Sequence, residues 1–187
     1  FMNSGFLKIT GPEGTSYTLG QPIWVYAGDT LLARLDPVPL LKSGTELHIE
    51  AFDPTRVVRD EGRHVGRLIF LEICPFISQN FQQIQAISFV LSRQIALMGG
   101  GAQLAAARSE TMSRIGAVDV RMTPKSDAKP GHFVVSGIWI YSERTYAALL
   151  SVLEEERTSY RERAIGARAG EPTGVIARLR HLVSGRT

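Results

Sequence analysis

Two side chains set in an apolar stretch are the first that could do chemistry. Glu72 and Cys74 stand in the run Arg67-Leu68-Ile69-Phe70-Leu71-Glu72-Ile73-Cys74-Pro75. A carboxylate among apolar side chains resists ionisation, which raises its pKa and suits it to act as a general base near neutral pH. The plainer reading is a carboxylate that is exposed or held in an ion pair. Cys74 becomes a nucleophile only beside a base or a helix N-terminus; otherwise a lone buried cysteine is a small hydrophobe. Downstream, Gln79, Asn80, Gln82, Gln83 and Gln85 form an amide-rich patch next to Ser78. Placed at the start of a helix, such amides donate to a ligand's carbonyl or phosphate oxygens; the plainer reading is a solvated first turn. Gly99-Gly100-Gly101 precedes a helical stretch but has neither the lysine of a phosphate loop nor dinucleotide spacing.

Other chemistries find less support. The histidines His48, His64, His132 and His181 are scattered, with no spacing that suits a metal, and no metal is expected. Cys74 is the single cysteine, so no internal disulfide forms, and a reducing, cytoplasmic setting fits. No apolar run approaches the roughly 18 residues that span a bilayer, and no secretory leader is expected at the start of the chain. The chain has 187 residues, 44% of them hydrophobic and 21% charged, with a formal net charge of +3. That composition is globular and excludes a disordered or fibrous protein. The charge is uneven: residues 157–187 hold seven arginines against two glutamates. A basic tail suits an acidic partner, anionic lipid or nucleic acid. Only Tyr160 is interleaved with those arginines, so base stacking, and with it nucleic acid, is not favoured.

The elements that must position these residues follow from pattern. Strands are expected at residues 6–10, then 23–26 and 31–35 as a hairpin, then 46–52, with turns at Gly11-Pro12-Glu13-Gly14 and Leu41-Lys42-Ser43-Gly44. The near-continuous apolar run from Val65 to Cys74 reads as a central strand covered on both faces. A helix capped by Ser78 is expected to run to about Arg93, on the period of Phe81, Ile84, Ile87, Ser88, Leu91 and Ile95. A second helix covers 102–115 and stops at Gly116. Strands follow at 118–122 and 133–141, then a long helix from Glu143, capped by Ser142, to about Ala164. A linker rich in Gly and Pro and a short basic helix over 175–183 end the chain. The class is α+β, a mixed sheet flanked by helices. The expected division is a mixed-sheet domain over 2–142 and a helical extension over 143–187.

Three places carry a likeness to a known family. The stretch Arg67–Pro75 looks like a central strand, Met112-Ser113-Arg114-Ile115-Gly116-Ala117 like the end of a following helix, and 118–122 with 133–140 like a closing strand pair. Over roughly residues 45–142 this order resembles the second half of the GNAT acyltransferase superfamily. The resemblance implies a helix N-terminus that holds the pyrophosphate of coenzyme A, and an acyl-CoA or acyl carrier protein thioester as donor. The family's glycine-rich loop has no counterpart between Arg67 and Met98; Ser78, Gln79, Asn80, Gln82 and Gln83 stand there as the cofactor-binding candidates. Acyl-homoserine lactone synthases, a branch without that loop, are similar at Leu71-Glu72-Ile73 and Met112–Ala117, although their N-terminal Arg, Phe, Trp, Glu and Asp set is missing.

Two functions are therefore open. One is an acyl-group transferase or acyl-thioester-binding protein, with Glu72 and Cys74 as catalytic candidates. The other is a non-enzymatic regulatory or assembly protein. It would act as a homodimer through the long helix, whose first half is apolar, and through its basic tail.

Overall fold

The computed structural model describes residues 6–50, 53–54, 65–92, 101–125 and 132–169. The chain order is β1 (Lys8–Thr10), β2 (Ile23–Ala27), β3 (Thr30–Leu35), β4 (Leu40–Leu41), β5 (Glu46–Ile49), β6 (Asp53–Pro54), α1 (Gly66–Asn80), β7 (Ala86–Ser92), α2 (Gly101–Arg114), β8 (Val118–Pro124), β9 (Phe133–Ile140) and α3 (Glu143–Ala169). One sheet runs β1-β2-β3-β6 and the other β4-β5-β7-β9-β8. Among the described residues all pairings are antiparallel except β5 with β7. This is the mixed α+β class expected, with a C-terminal helix. Among the described residues no helix is long and apolar enough to cross a membrane.

The hairpin of β2 and β3, both turns, α2, the closing pair β8 and β9, and α3 lie where the pattern places them. Two elements do not. Residues 66–80 are a helix, not the central strand, and residues 86–92 are a strand, not part of a helix. The run from Leu68 to Pro75 is apolar all round because the helix is buried all round, and periodicity cannot separate that case from a doubly covered strand. Pro75 removes one N–H and strains a helix interior, yet α1 continues through it. In β7, Ile87, Phe89 and Leu91 are buried on one face while Ala86 and Val90 are half-buried on the other, the period of a strand. The expected pattern of a strand, helices and two closing strands is displaced by one element: β5 takes the place of the expected strand, α1 that of the helix after it, and β7 is an added strand. The basic helix expected at 175–183 lies outside the described residues.

Leu47, Ile49, Ile87, Phe89, Leu91, Val135 and Trp139 share one buried face of the second sheet. Helix α1 packs there, Phe70 against Phe89 with ring centroids 5.2 Å apart. Gly137 lies opposite Phe89 across β7 and β9, and a Cβ on it would stand 2.8 Å from the Phe89 ring. The Trp139 indole donates to the Ile115 carbonyl beyond α2. Gly116 has φ +81, and a Cβ there would meet Thr145 of α3 at 2.9 Å. Helix α3 opens on a reciprocal cap, Ser142 Oγ accepting from the Thr145 amide and Thr145 Oγ1 from the Ser142 amide. Its Leu149, Val152, Leu153 and Tyr160 are buried in the same core. The apolar half expected to serve a dimer is therefore largely taken up within the chain.

Candidate functional site

The catalytic candidates do not converge. Glu72 and Cys74 are two positions apart on α1, so they project about 200° apart around its axis. Glu72 is 3% exposed, and its carboxylate accepts two hydrogen bonds from Arg157 of α3, 2.7 Å from Nε and 2.8 Å from Nη2. These bonds hold the Arg157 guanidinium above its ordinary pKa. This is the ion-pair reading of Glu72, on a helix in place of the expected strand. Its neighbours extend the clamp: Arg67 of α1 pairs with Glu156 at 2.9 Å, and Arg114 of α2 pairs with Glu155 at 2.7 Å. The run Glu154-Glu155-Glu156-Arg157, which reads as a solvated helix face, thus ties α3 to α1 and α2. Cys74 is fully buried, and burial pushes its thiol pKa up strongly.

The amide patch lies at the other end of a helix from the one expected. Ser78, Gln79 and Asn80 form the last turn of α1, and Gln82 and Gln83 the exposed turn that follows. Ser78 caps nothing; its hydroxyl donates to the Cys74 carbonyl within the helix, at 2.8 Å. Asn80 donates in the same way to Phe76, and Gln79 reaches the Tyr146 hydroxyl of α3 at 2.6 Å. At that end carbonyls, not amides, are the unpaired backbone groups.

The N-terminus of α1 lies at the opposite end, toward a fork in the sheets. Strands β5 and β7 run parallel, from Glu46 opposite Ala86 to Ile49 opposite Phe89. There they part. By Asp53 the chain leaving β5 is paired with β3, while β7 continues along β9 as far as Ser92. The contact of Phe70 with Phe89 sets the first half of α1 over this fork. Among the described residues, no strand pairs the side of Val90–Ser92 that β5 has left.

A polar cluster sits one residue pair before the fork, on the face away from α1. His48 Nδ1 lies 2.8 Å from Ser88 Oγ, directly across the parallel strands. His48 Nε2 lies 3.5 Å from Glu50 Oε1. Glu46, buried on the same face, pairs with Lys42 at 2.5 Å. Burial alone would raise the Glu46 pKa, but hydrogen bonds from Lys42 and Ser88 and the charge of Lys42 bring it below its ordinary value. The alternation in Glu46-Leu47-His48-Ile49-Glu50 is the one signal in sequence that puts these three on one face; their partner Ser88 was hidden by the helical reading of 78–93.

No family model matches the chain, and no curated protein matches it. Among solved structures, it is similar to an acetyltransferase from Thermus thermophilus at TM-score 0.36 and 8% identity, over 65% of this chain and 64% of that one. It is similar to a structure described as a putative acetyltransferase at TM-score 0.45 and 9% identity, over 73% of this chain and 65% of that one. A CoA-dependent acyl-homoserine lactone synthase is similar at TM-score 0.42 and 11% identity, over 78% and 76% of the two chains. The chain thus spans just under two thirds of the first two structures. Likenesses at these scores do not bear on activity.

Proposed function

We propose that this chain binds an acyl thioester at the fork between β5 and β7 and transfers its acyl group. The observation that carries the reading is the fork itself. Two parallel strands that part expose a strand side whose backbone groups need partners, and an extended arm bearing amides can supply them as an added strand would. The first half of α1 overlies that fork, and helix N-terminal amides favour a phosphate group. In sequence, the segment between β6 and α1 carries Arg56, Arg59 and Arg63, against Asp60 and Glu61, and has Gly62 before the helix opens at Gly66. Gly62 comes just ahead of the helix and Gly66 opens it, where the resemblance to the GNAT superfamily expects glycine. A helix placed one element too late points past them, to the amide patch. A coenzyme A thioester and an acyl carrier protein thioester share the arm this fork would hold.

Thermal unfolding against coenzyme A, acetyl-CoA, octanoyl-CoA and S-adenosylmethionine tests the reading. A ligand at 100 times its Kd adds about 2.7 kcal/mol, a Tm rise of about 5 to 10 °C at this size. A rise with the coenzyme A compounds alone supports the proposal. A flat response to them, and to an acylated carrier protein, refutes it.

A further inference from the structure

We infer that His48, held by Ser88, is the base that takes the proton from the acyl acceptor, an inference that rests on the acyl-transfer reading. Geometry sets the arrangement: His48 Nδ1 lies 2.8 Å from Ser88 Oγ, and in the form proposed here Nδ1–H donates to that oxygen. With its proton on Nδ1, the neutral imidazole has a lone pair on Nε2. The imidazole is one-fifth exposed, and the Glu50 carboxylate, 3.5 Å from Nε2, is placed to pair with the imidazolium once it forms. Ser88 and Glu50 meet the imidazole directly, and Glu46, paired with Lys42, lies on the same face of β5.

Position makes the cluster more than a structural hydrogen bond. His48 opposite Ser88 is the next-to-last pair before the strands part, about 3.3 Å along the strand from the fork. A thioester carbonyl lodged in the fork thus comes next to the imidazole. An acceptor amine, alcohol or water then attacks the carbonyl carbon. Its nitrogen or oxygen bonds to that carbon, its proton passes to His48 Nε2, the carbon–sulfur bond breaks, and the thiolate leaves and is protonated from solvent or from the imidazolium. Glu50, three-quarters exposed, favours an amine acceptor, which is drawn in as a cation, gives its extra proton to solvent and attacks as the free amine, its next proton passing to His48.

Thiol release from octanoyl-CoA and acetyl-CoA tests this, with water as the default acceptor and ethanolamine as an added one, on wild type, His48→Ala, His48→Gln and Ser88→Ala. His48→Ala should lower the rate at least about 100-fold, the usual reach of general-base catalysis, and leave the octanoyl-CoA thermal shift unchanged. Imidazole in the buffer should restore His48→Ala about tenfold or more and should not affect Ser88→Ala, a rescue that a structural role would not produce. Should His48→Ala fail to fold, loss of rate in His48→Gln with binding retained decides for the inference. Rates within threefold of wild type in a folded His48 variant overturn the inference and leave the acyl reading intact. Binding by wild type without thiol release overturns the inference and the transfer half of the reading, and leaves the binding half standing. Neither binding nor release overturns both.

Discussion

Breaking the ion pair between Glu72 and Arg157 should cost different amounts from its two ends. The Glu72 side chain is 3% exposed and that of Arg157 21%. Arg157→Met leaves a carboxylate buried without its guanidinium, and truncating one partner of a buried pair costs about 3 to 5 kcal/mol. Glu72→Gln leaves a cation that reaches water and keeps Glu154 at 3.5 Å, so about 1 to 2 kcal/mol is expected. The double variant Glu72→Met with Arg157→Met leaves no charge unpaired and should regain most of the loss, because apolar replacement of a buried pair is often neutral or better. Urea unfolding measures all four proteins. The order expected is wild type, then the double variant close to it, then Glu72→Gln, then Arg157→Met, at an unchanged m-value. An Arg157→Met loss below about 1 kcal/mol would refute the reasoning, since pairs worth that little are surface pairs. The same proteins address Glu72 in the reaction: with the ion pair as its role, folded Glu72→Gln keeps the wild-type rate of thiol release.

Other outcomes follow from single observations. Cys74 should not react with a disulfide reagent at pH 8 in the folded protein and should react at once in denaturant, because burial holds the thiol protonated. Gly137→Ala should destabilise by about 1 to 3 kcal/mol, read by urea midpoint, since its Cβ meets the Phe89 ring and, at 3.1 Å, the Val118 carbonyl; a change under about 0.5 kcal/mol, the range of an unconstrained site, would mean that Phe89 shifts freely. Glu46 has a depressed folded pKa, so its contribution is present above the unfolded value near pH 4.3 and is lost as pH falls through the folded one. Urea midpoints between pH 6 and 3 should therefore fall less steeply for Glu46→Gln than for wild type; equal slopes would contradict this.

Much of the chain was legible because local signals agreed with the fold. Gly28-Asp29 between two apolar runs makes the hairpin of β2 and β3, Ser142 caps α3, and Gly116 ends the helix turn with a positive φ. These devices act within a few residues, so they are written where they act. The alternation in Glu46–Ile49 likewise marks β5 as half-buried without any partner in view. Residues 66–80 show the limit. Their even apolarity records burial on every side, and burial is satisfied equally by a helix under α3 or by a strand between layers. Tertiary packing decided it: the pairing of β5 with β7 needs a crossover between parallel strands, and α1 is that crossover. The same decision moved every candidate for chemistry. It handed Glu72 to Arg157, 85 residues away in sequence, sealed Cys74, and sent the amide patch to the wrong end of the helix. It also brought His48 to Ser88 across 40 residues. No local pattern encodes contacts between side chains so far apart in the chain; they exist only once the strands are in register.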